Sequence, residues 1–191
     1  MPKLWSETID EHRRTVRSAV LDAAAALVDE RGLTGVTMSA IAERAGIGRA
    51  TLYKYFADVE SILIARHQDH VAAHLGQLEK LREQAATPEE GLKAVLDAYA
   101  QICFWRSRHG TDFSALVHRP EHVAPAEQRL TELFTELLAE SVPSAKLRED
   151  ATPGELAAYC LHALAAAGDL DSEAAVRRLV DMTLAGLRPA R

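Results

Sequence analysis

The residues best suited to chemistry in this chain fall in one short stretch, from Arg49 to Tyr55, which mixes cations, hydroxyls and aromatic edges. If the stretch is a helix with Leu52 facing inward, its outward side carries no carboxylate, whereas a merely hydrated surface usually mixes both signs of charge. Arginine and lysine suit phosphates, and arginine can bridge guanine O6 and N7 in a major groove. The outward residues therefore favour nucleic-acid binding; they are Arg49, Ala50, Thr51, Tyr53, Lys54 and Tyr55.

Histidines form a second candidate group. His67, His70 and His74 recur at helical spacing, and His118 and His122 lie four residues apart. Imidazoles at such spacing can share a metal ion. No HExxH motif and no cysteine pair accompany them, so we expect no metal site. We expect His70 or His74 to supply a polar group to a small-molecule pocket.

A catalytic role would need a nucleophile with a base, paired carboxylates or a phosphate-binding loop. The sequence contains no GxSxG, GxxxxGK[ST] or GxGxxG pattern. A hydrolase using Cys103 with a histidine nearby in space is the remaining enzymatic alternative, but apolar helical surroundings favour an inert, buried thiol. We expect no enzyme, no catalytic residue and no cofactor.

Helical periodicity runs through nearly all of the 191 residues, and strand-like alternation is missing. The sequence predicts an all-α protein of about nine helices. A capping box at Thr8–Glu11 predicts the start of the first helix, and Gly32 predicts the end of that helix, at about Arg31. The other helices are predicted over about 39–45, 48–55, 59–84, 88–110, 111–118, 126–141, 153–167 and 172–187, with a loop at 119–125.

The second and third of these helices are short and joined by a glycine-containing turn, as in a helix-turn-helix. Their apolar residues can form a small core that fixes the angle between them: Ile41, Ala42, Ala45, Ile47, Leu52 and Phe56. An ordinary helical hairpin with a hydrated face is the alternative. The acid-free outward face favours the helix-turn-helix.

The spacing of these residues closely resembles the TetR family of bacterial transcriptional regulators. The resemblance rests on Thr37-x3-Ile41-Ala42-x2-Ala45-Gly46-Ile47, then Thr51-Leu52-Tyr53-x-Tyr55-Phe56 and Glu60-x2-Leu63. It is dense over residues 13–63, and beyond residue 65 only the architecture agrees.

The resemblance implies a role for each matched residue. Thr37 would cap the second helix and contact a phosphate, and Ser39 would reach a base or a phosphate. Arg49 and Ala50 would begin the recognition helix, where base contacts concentrate. Gly48 departs from the pattern, because a serine often caps that helix. Phosphate or groove contacts are implied for the rest of the outward face: Thr51, Tyr53, Lys54 and Tyr55.

The net charge of −6 argues against nucleic acid only until its distribution is considered. Residues 1–57 hold 8 Lys and Arg against 7 Asp and Glu, and residues 58–191 hold 14 against 21. The nets are +1 and −7, so the acidic excess lies outside the helix-turn-helix. The resemblance to the TetR family implies a DNA-binding domain at 1–57 and a ligand-binding and dimerisation domain at 58–191.

The second domain offers two sets of candidates. An aromatic cluster on the fifth helix predicts a small-molecule cavity, lined by His70, His74, Tyr99, Cys103, Trp105, Phe113 and Phe134. The resemblance also implies that the last two helices pair with a second subunit, and their alanine-rich faces suit the close helix approach of a four-helix dimer interface. Its candidate residues are Leu156, Tyr159, Cys160, Ala163, Leu164, Ala167, Leu179 and Met182. Ordinary packing inside one chain is the alternative for both sets.

Together these expectations describe a cytoplasmic, homodimeric DNA-binding regulator, most simply a repressor. Its partners would be a palindromic double-stranded DNA operator, a small-molecule effector and a second copy of the chain, without a membrane. The alternative is a helical protein that binds a metal or a small molecule and has no role at DNA.

Overall fold

A computed structural model describes residues 3–109, 120–141 and 147–189. These residues form eight α-helices and two 3-10 helices, with no strand among them, which confirms the all-α prediction. The short helix predicted at 111–118 lies outside the described residues. The helices are α1 (Lys3–Arg31), α2 (Met38–Arg44), α3 (Arg49–Tyr55), α4 (Val59–Gln84), α5 (Pro88–His109), α6 (Pro120–Ser141), α7 (Pro153–Ala165) and α8 (Glu173–Gly186). The 3-10 helices are Leu33–Gly35 and Ala166–Asp169.

Helix α1 starts earlier than its capping-box pattern suggests. It begins at Lys3, so the predicted start at Thr8 is wrong. No proline or glycine stands between Lys3 and Thr8, so nothing in that stretch interrupts a helix. The predicted end at Arg31 is confirmed: Gly32 takes a left-handed φ of 68°, and its N–H donates to the Val28 carbonyl at 2.8 Å.

Helix α6 also starts earlier than predicted, and the expected loop at 119–125 is wrong from Pro120 onward. Pro125 lies inside the helix, where it cannot donate the usual backbone hydrogen bond. An interior proline costs about 3 kcal/mol. The later turns offset that cost, because Leu133, Leu137 and Leu138 are buried and each contributes about 1.5–3 kcal/mol.

The chain divides into two compact units, with one boundary inside α4, between His70 and Val71, and another inside α6, between His122 and Val123. We call them the first and second units. The boundary inside α4 falls later than the one expected after residue 57, because Ile62 and Leu63 of α4 are buried in the core of the first unit. That core also takes side chains from α1, α2, α3 and the residue that follows α3: Val20, Leu21, Ala23, Ala24, Leu27, Ile41, Ala42, Leu52 and Phe56.

The second unit packs α5 against α6, α7, α8 and the 3-10 helix Ala166–Asp169. Gly168 allows a close approach: a Cβ there would lie 3.4 Å from Ser107 Cβ, and Ser107 Oγ donates to the Gly168 carbonyl at 2.7 Å. Arg108 lies over the Phe104 ring, 3.7 Å from its centroid, and donates to the Leu170 carbonyl at 2.7 Å. These contacts fix the end of α5 against the segment that joins α7 to α8.

Leu27 provides a test of the first core, because only 1% of it is exposed whereas Ile9 on the same helix is 48% exposed. We expect Leu27→Ala to lower the free energy of unfolding by about 2–5 kcal/mol, since it leaves a cavity where the surroundings cannot fully collapse. Ile9→Ala is the control, with a change within about 0.5 kcal/mol. Urea denaturation followed by circular dichroism measures both, and equal losses would contradict the assigned core.

The α7 capping box provides a pH test. Thr152 N and Oγ1 both donate to the Glu155 carboxylate at 2.7 Å, and these bonds lower the pKa of Glu155. The ionised form therefore stabilises the fold above the unfolded-state pKa of about 4.3, and that contribution is lost as the pH falls through the lower folded-state pKa. A glutamine keeps the cap without titrating.

We expect the melting midpoint of Glu155→Gln to lie below that of the wild type at neutral pH. The difference should shrink as the pH falls below about 4. Glu149→Gln, at an exposed carboxyl outside the cap, should show no such convergence. Thermal melts from pH 7 to pH 3 measure this, and a constant difference for Glu155→Gln would contradict the assigned role of its charge.

Candidate nucleic-acid interface

A tight turn joins α2 to α3. Gly46 has a φ of 68°, a left-handed conformation that residues with a Cβ rarely adopt. Its N–H donates to the Glu43 carbonyl at 3.2 Å, and Ile47 N–H donates to the Ala42 carbonyl at 3.0 Å. Because both bonds return to the last turn of α2, the path into α3 is fixed by backbone contacts. The helix-turn-helix prediction is confirmed here.

Helix α2 has the N-cap that its sequence predicts. Thr37 is extended, and its Oγ1 accepts from Ala40 N–H at 3.2 Å. Thr37 and Ser39 are exposed, whereas Ile41 and Ala42 are buried against α1 and α3. The start of α2 is therefore accessible to a partner.

Helix α3 has a backbone cap only. Gly48 makes no side-chain cap, and its carbonyl accepts from Thr51 and Leu52 N–H at 2.9 and 3.0 Å. Leu52 is fully buried and holds the helix to the core. The helix is seven residues long, so this anchor determines which of its sides faces solvent.

Four of the predicted contact residues of α3 are exposed: Arg49, Ala50, Tyr53 and Lys54. Tyr53 is 51% exposed although it is aromatic, which leaves its ring and hydroxyl available. Thr51 and Tyr55 are half-buried, and Tyr55 packs against the first core. The accessible face thus presents two cations, a phenol and a small side chain, with no carboxylate on α3.

The cations of the first unit differ in their partners. Arg17 pairs with Asp69 at 2.6 Å, and Arg44 pairs with Glu30 at 2.7 Å. In the described part of the chain neither Arg49 nor Lys54 forms an ion pair. The two cations of α3 therefore remain available for phosphate or base oxygens. Sequence reasoning missed both ion pairs, because the partners are too far apart in the chain for helical spacing to reveal them.

The residues predicted to line a ligand cavity do not all come together. Tyr99 and Phe134 meet edge to face with centroids 5.3 Å apart, and Cys103 is buried beside them. Trp105 is 45% exposed and packs on Phe104 with centroids 5.2 Å apart, so it does not belong to that buried cluster. Phe113 lies outside the described residues.

Burial and their mutual contact control the titration of Tyr99 and Cys103. Burial raises the pKa of the Cys103 thiol, and burial together with the neighbouring Cys103 raises the pKa of Tyr99. Burial raises the pKa of Cys160 to about 12. A thiol reacts as its thiolate, so these cysteines are poor nucleophiles at neutral pH. The hydrolase alternative gains no support.

The two histidines predicted for the pocket lie on α4, as does His67, whereas His122 lies on α6 and His118 lies outside the described residues. His70 is in the first unit and His74 is in the second. Partial burial, together with Arg66, lowers the pKa of His70, which favours its neutral form. No group of three or more potential metal ligands occurs among the described residues.

The eight residues predicted for a dimer interface divide into two groups. Four are buried inside the second unit, which is the intramolecular alternative: Leu156, Cys160, Leu164 and Ala167. Ala163 and Leu179 are half-buried. Tyr159 and Met182 are 42% and 62% exposed, so their side chains supply accessible apolar surface for an interface on α7 and α8.

A charged groove, lined by ionised side chains and not by aromatic ones, lies between α4 and α6. Its ion pairs join Arg82 to Glu136 and Glu140 at 2.8 and 2.5 Å, and Arg129 to Glu79 at 2.7 Å. None of the described helices is long and apolar enough to cross a lipid bilayer.

The sequence of this chain is similar to those of known bacterial regulatory proteins. The family model for bacterial regulatory proteins of the tetR family matches residues 20–65, which cover most of the first core, α2 and α3. The HTH-type transcriptional regulator BetI of Burkholderia cenocepacia is 30% identical over 184 residues, spanning 86% of this chain and 90% of that protein. BetI of Rhizobium meliloti is 32% identical over 96 residues, spanning 50% of this chain and 44% of that protein.

Solved structures agree on the fold. A TetR/AcrR-family regulator from Thermobifida fusca superposes with a TM-score of 0.75 at 22% identity, covering 91% of this chain and 98% of that one. FadR of Bacillus subtilis, solved with stearoyl-CoA, gives a TM-score of 0.65 at 17% identity, covering 90% and 99%. With its helix-turn-helix in the matched segment and a BetI relative along most of its length, this chain belongs to the TetR family of DNA-binding bacterial transcriptional regulators.

Proposed function

We propose that this chain is a homodimeric repressor that binds a palindromic DNA operator through α2 and α3 and releases it when a small molecule binds in the second unit. The observation that carries the proposal is the exposed, acid-free face of α3, whose two cations have no ion pair in the described part of the chain. Cations without a competing carboxylate are free to exchange counterions for DNA phosphates.

The contacts follow from the positions of the side chains. Arg49 would read a guanine by bridging O6 and N7, and Ala50 beside it would let the helix approach the groove closely. Thr37 and Ser39 at the start of α2 would contact phosphates. The other outward residues would contact the DNA phosphates or the edges of the groove: Thr51, Tyr53, Lys54 and Tyr55.

A dimer is proposed because one short helix reads too few base pairs. Two copies would place their α3 helices in half-sites about 34 Å apart, one turn of B-DNA. Tyr159 and Met182 of α7 and α8 support this arrangement, since exposed apolar side chains of this size are suited to an interface. The half-buried Ala163 and Leu179 would join them at that surface.

Effector release would work by a shift between two dimer conformations. A ligand that binds better to the one with wrongly spaced α3 helices would lower operator affinity through that difference. The buried group of Tyr99, Cys103 and Phe134 supports an apolar ligand, as does the fold shared with FadR, a protein solved with stearoyl-CoA. We assign no catalytic step to the chain, and we place its action in the cytoplasm, where bacterial DNA lies.

Arg49 provides the first test. An operator is selected from random double-stranded DNA, and binding is followed by fluorescence anisotropy over a series of KCl concentrations. Loss of a bidentate base contact costs about 1–3 kcal/mol, so we expect Arg49→Ala to weaken operator binding at least tenfold. Arg188→Ala, at an exposed arginine after α8, removes the same charge and should change affinity little. Binding that is insensitive to both salt and Arg49 would contradict the proposal.

Met182 provides the second test, since it is the most exposed large apolar residue among the described residues of the second unit. We expect Met182→Asp to shift the protein from dimer to monomer, because a buried carboxylate at an interface has no partner. Ile9→Asp, at an exposed apolar residue of α1, should leave the dimer intact. Sedimentation velocity measures both, and a dimer that survives Met182→Asp would exclude this face as the interface.

A further inference from the structure

Arg44, at the end of α2, makes a two-point contact with Glu30 of α1. Its Nη1 and Nη2 donate to Oε1 and Oε2 of Glu30, both at 2.7 Å. This two-point contact is directional, unlike a single ion pair, and restricts both the distance and the relative rotation of the two side chains. The hydrogen bonds from Arg44 also hold the pKa of Glu30 below its usual value.

The pair joins two elements of very different size. Glu30 lies in the last turn of α1, which is 29 residues long, and Arg44 is the last residue of α2, which has seven. Apart from this pair, α2 is held mainly by Ile41 and Ala42, which are both buried on one side. A two-turn helix anchored on one side can roll about that contact, and a second anchor at its end opposes the roll.

The position of Arg44 along the chain links this anchor to α3. Ala45 follows it directly, and Gly46 and Ile47 then donate to carbonyls of Glu43 and Ala42. A displacement of the end of α2 would therefore be passed through the turn to the start of α3. The first exposed side chain beyond the turn is Arg49.

We propose that Glu30 and Arg44 form a positioning pair that sets the orientation of α3 for operator recognition, and that Arg44 is not itself a phosphate contact. This inference rests on the proposed operator binding. Arg44 already directs one N–H of each terminal nitrogen at Glu30, so a DNA phosphate would bind its remaining N–H groups beside a carboxylate that repels it. Arg49 and Lys54 have no carboxylate partner of this kind in the described part of the chain.

Glu30→Gln distinguishes a phosphate-binding role of Arg44 from a positioning role, because the two roles predict opposite changes in operator affinity. If Arg44 binds phosphate, removing the neighbouring acid frees it, and DNA binding tightens. If the pair positions α3, the same change weakens operator binding although it removes a negative charge from a DNA-binding unit. Asp29→Asn is the matched control, because Asp29 is an exposed acid one residue away without an ion pair in the described part of the chain.

The experiment measures the affinity of full-length wild type, Glu30→Gln, Arg44→Gln, the double variant and Asp29→Asn for the selected operator. The same proteins are titrated with a scrambled duplex, and both titrations are repeated over a KCl series. Circular dichroism melts confirm that every variant is folded at the assay temperature. The ratio of operator to scrambled affinity separates positioning from stability, because partial unfolding lowers both affinities together.

We expect each single variant to weaken operator binding by roughly threefold to tenfold in the dimer, which holds two copies of this exposed pair. Scrambled-duplex affinity should stay level or rise, so the ratio falls. The double variant should lose no more than either single variant, since both remove the same interaction. Asp29→Asn should not weaken binding, and the salt slope of Arg44→Gln should match that of the wild type.

Three results would overturn the inference: tighter operator binding by Glu30→Gln, additive losses in the double variant, or a salt slope reduced in Arg44→Gln by about one for each copy, which marks a lost phosphate contact. If the wild-type protein bound operator and scrambled DNA with equal affinity, that result would contradict the proposed operator binding itself, and with it the positioning role.

Discussion

The structure of the first unit depends on burial of α2 and α3 against α1. Helices of seven residues do not persist in water alone, because nucleation is costly and too few hydrogen bonds follow it. Ile41 and Leu52 are completely buried, and each fixes its short helix to a core to which α1 contributes Val20, Ala24 and Leu27. The recognition face exists only while that core is intact, so α1 determines DNA binding without belonging to the face.

The same dependence explains how a chain with a net charge of −6 can bind DNA. Residues 1–57 carry a net charge of only +1, and ion pairs engage Arg17 and Arg44. Residues 1–57 contain six further cations but also seven acids in all, so their net attraction to phosphates is weak. Affinity must therefore come from well-placed contacts, and the precise orientation of α3 matters more than it would in a strongly basic protein.

Much of the fold is predictable from local signals. Gly32, Gly46 and the caps at Thr37 and Thr152 identify helix ends because the chemistry acts within a few residues. The two wrong starts come from the same local reasoning. Thr8 resembles a cap where the helix had already begun, and Pro125 resembles a break where later burial outweighs its cost.

Ion pairs lie beyond such reasoning. Glu30 and Arg44 are on different helices, and nothing in their spacing marks them as partners. The exposed residues of α3 were predictable, because the buried position of Leu52 determines which side of that helix faces outward. The half-buried state of Tyr55 was not, since it depends on how closely neighbouring helices approach.

The same limit applies to α7 and α8, where an apolar residue can face either its own core or another chain. Cys160 and Tyr159 are adjacent in sequence, yet Cys160 is fully buried and Tyr159 is 42% exposed. The Tyr159 ring packs directly against the backbone of Gly186, and any Cβ at residue 186 would overlap the phenol oxygen. The backbone N–H of Arg148 donates to the Leu187 carbonyl at 2.8 Å and so holds the same end of α8.

An exposed aromatic ring that is already held against backbone loses little conformational freedom when a partner covers it. That restraint distinguishes Tyr159 from an incidental surface residue. It favours the surface formed by the middle of α7 and the end of α8 as the place where two copies of the chain would meet.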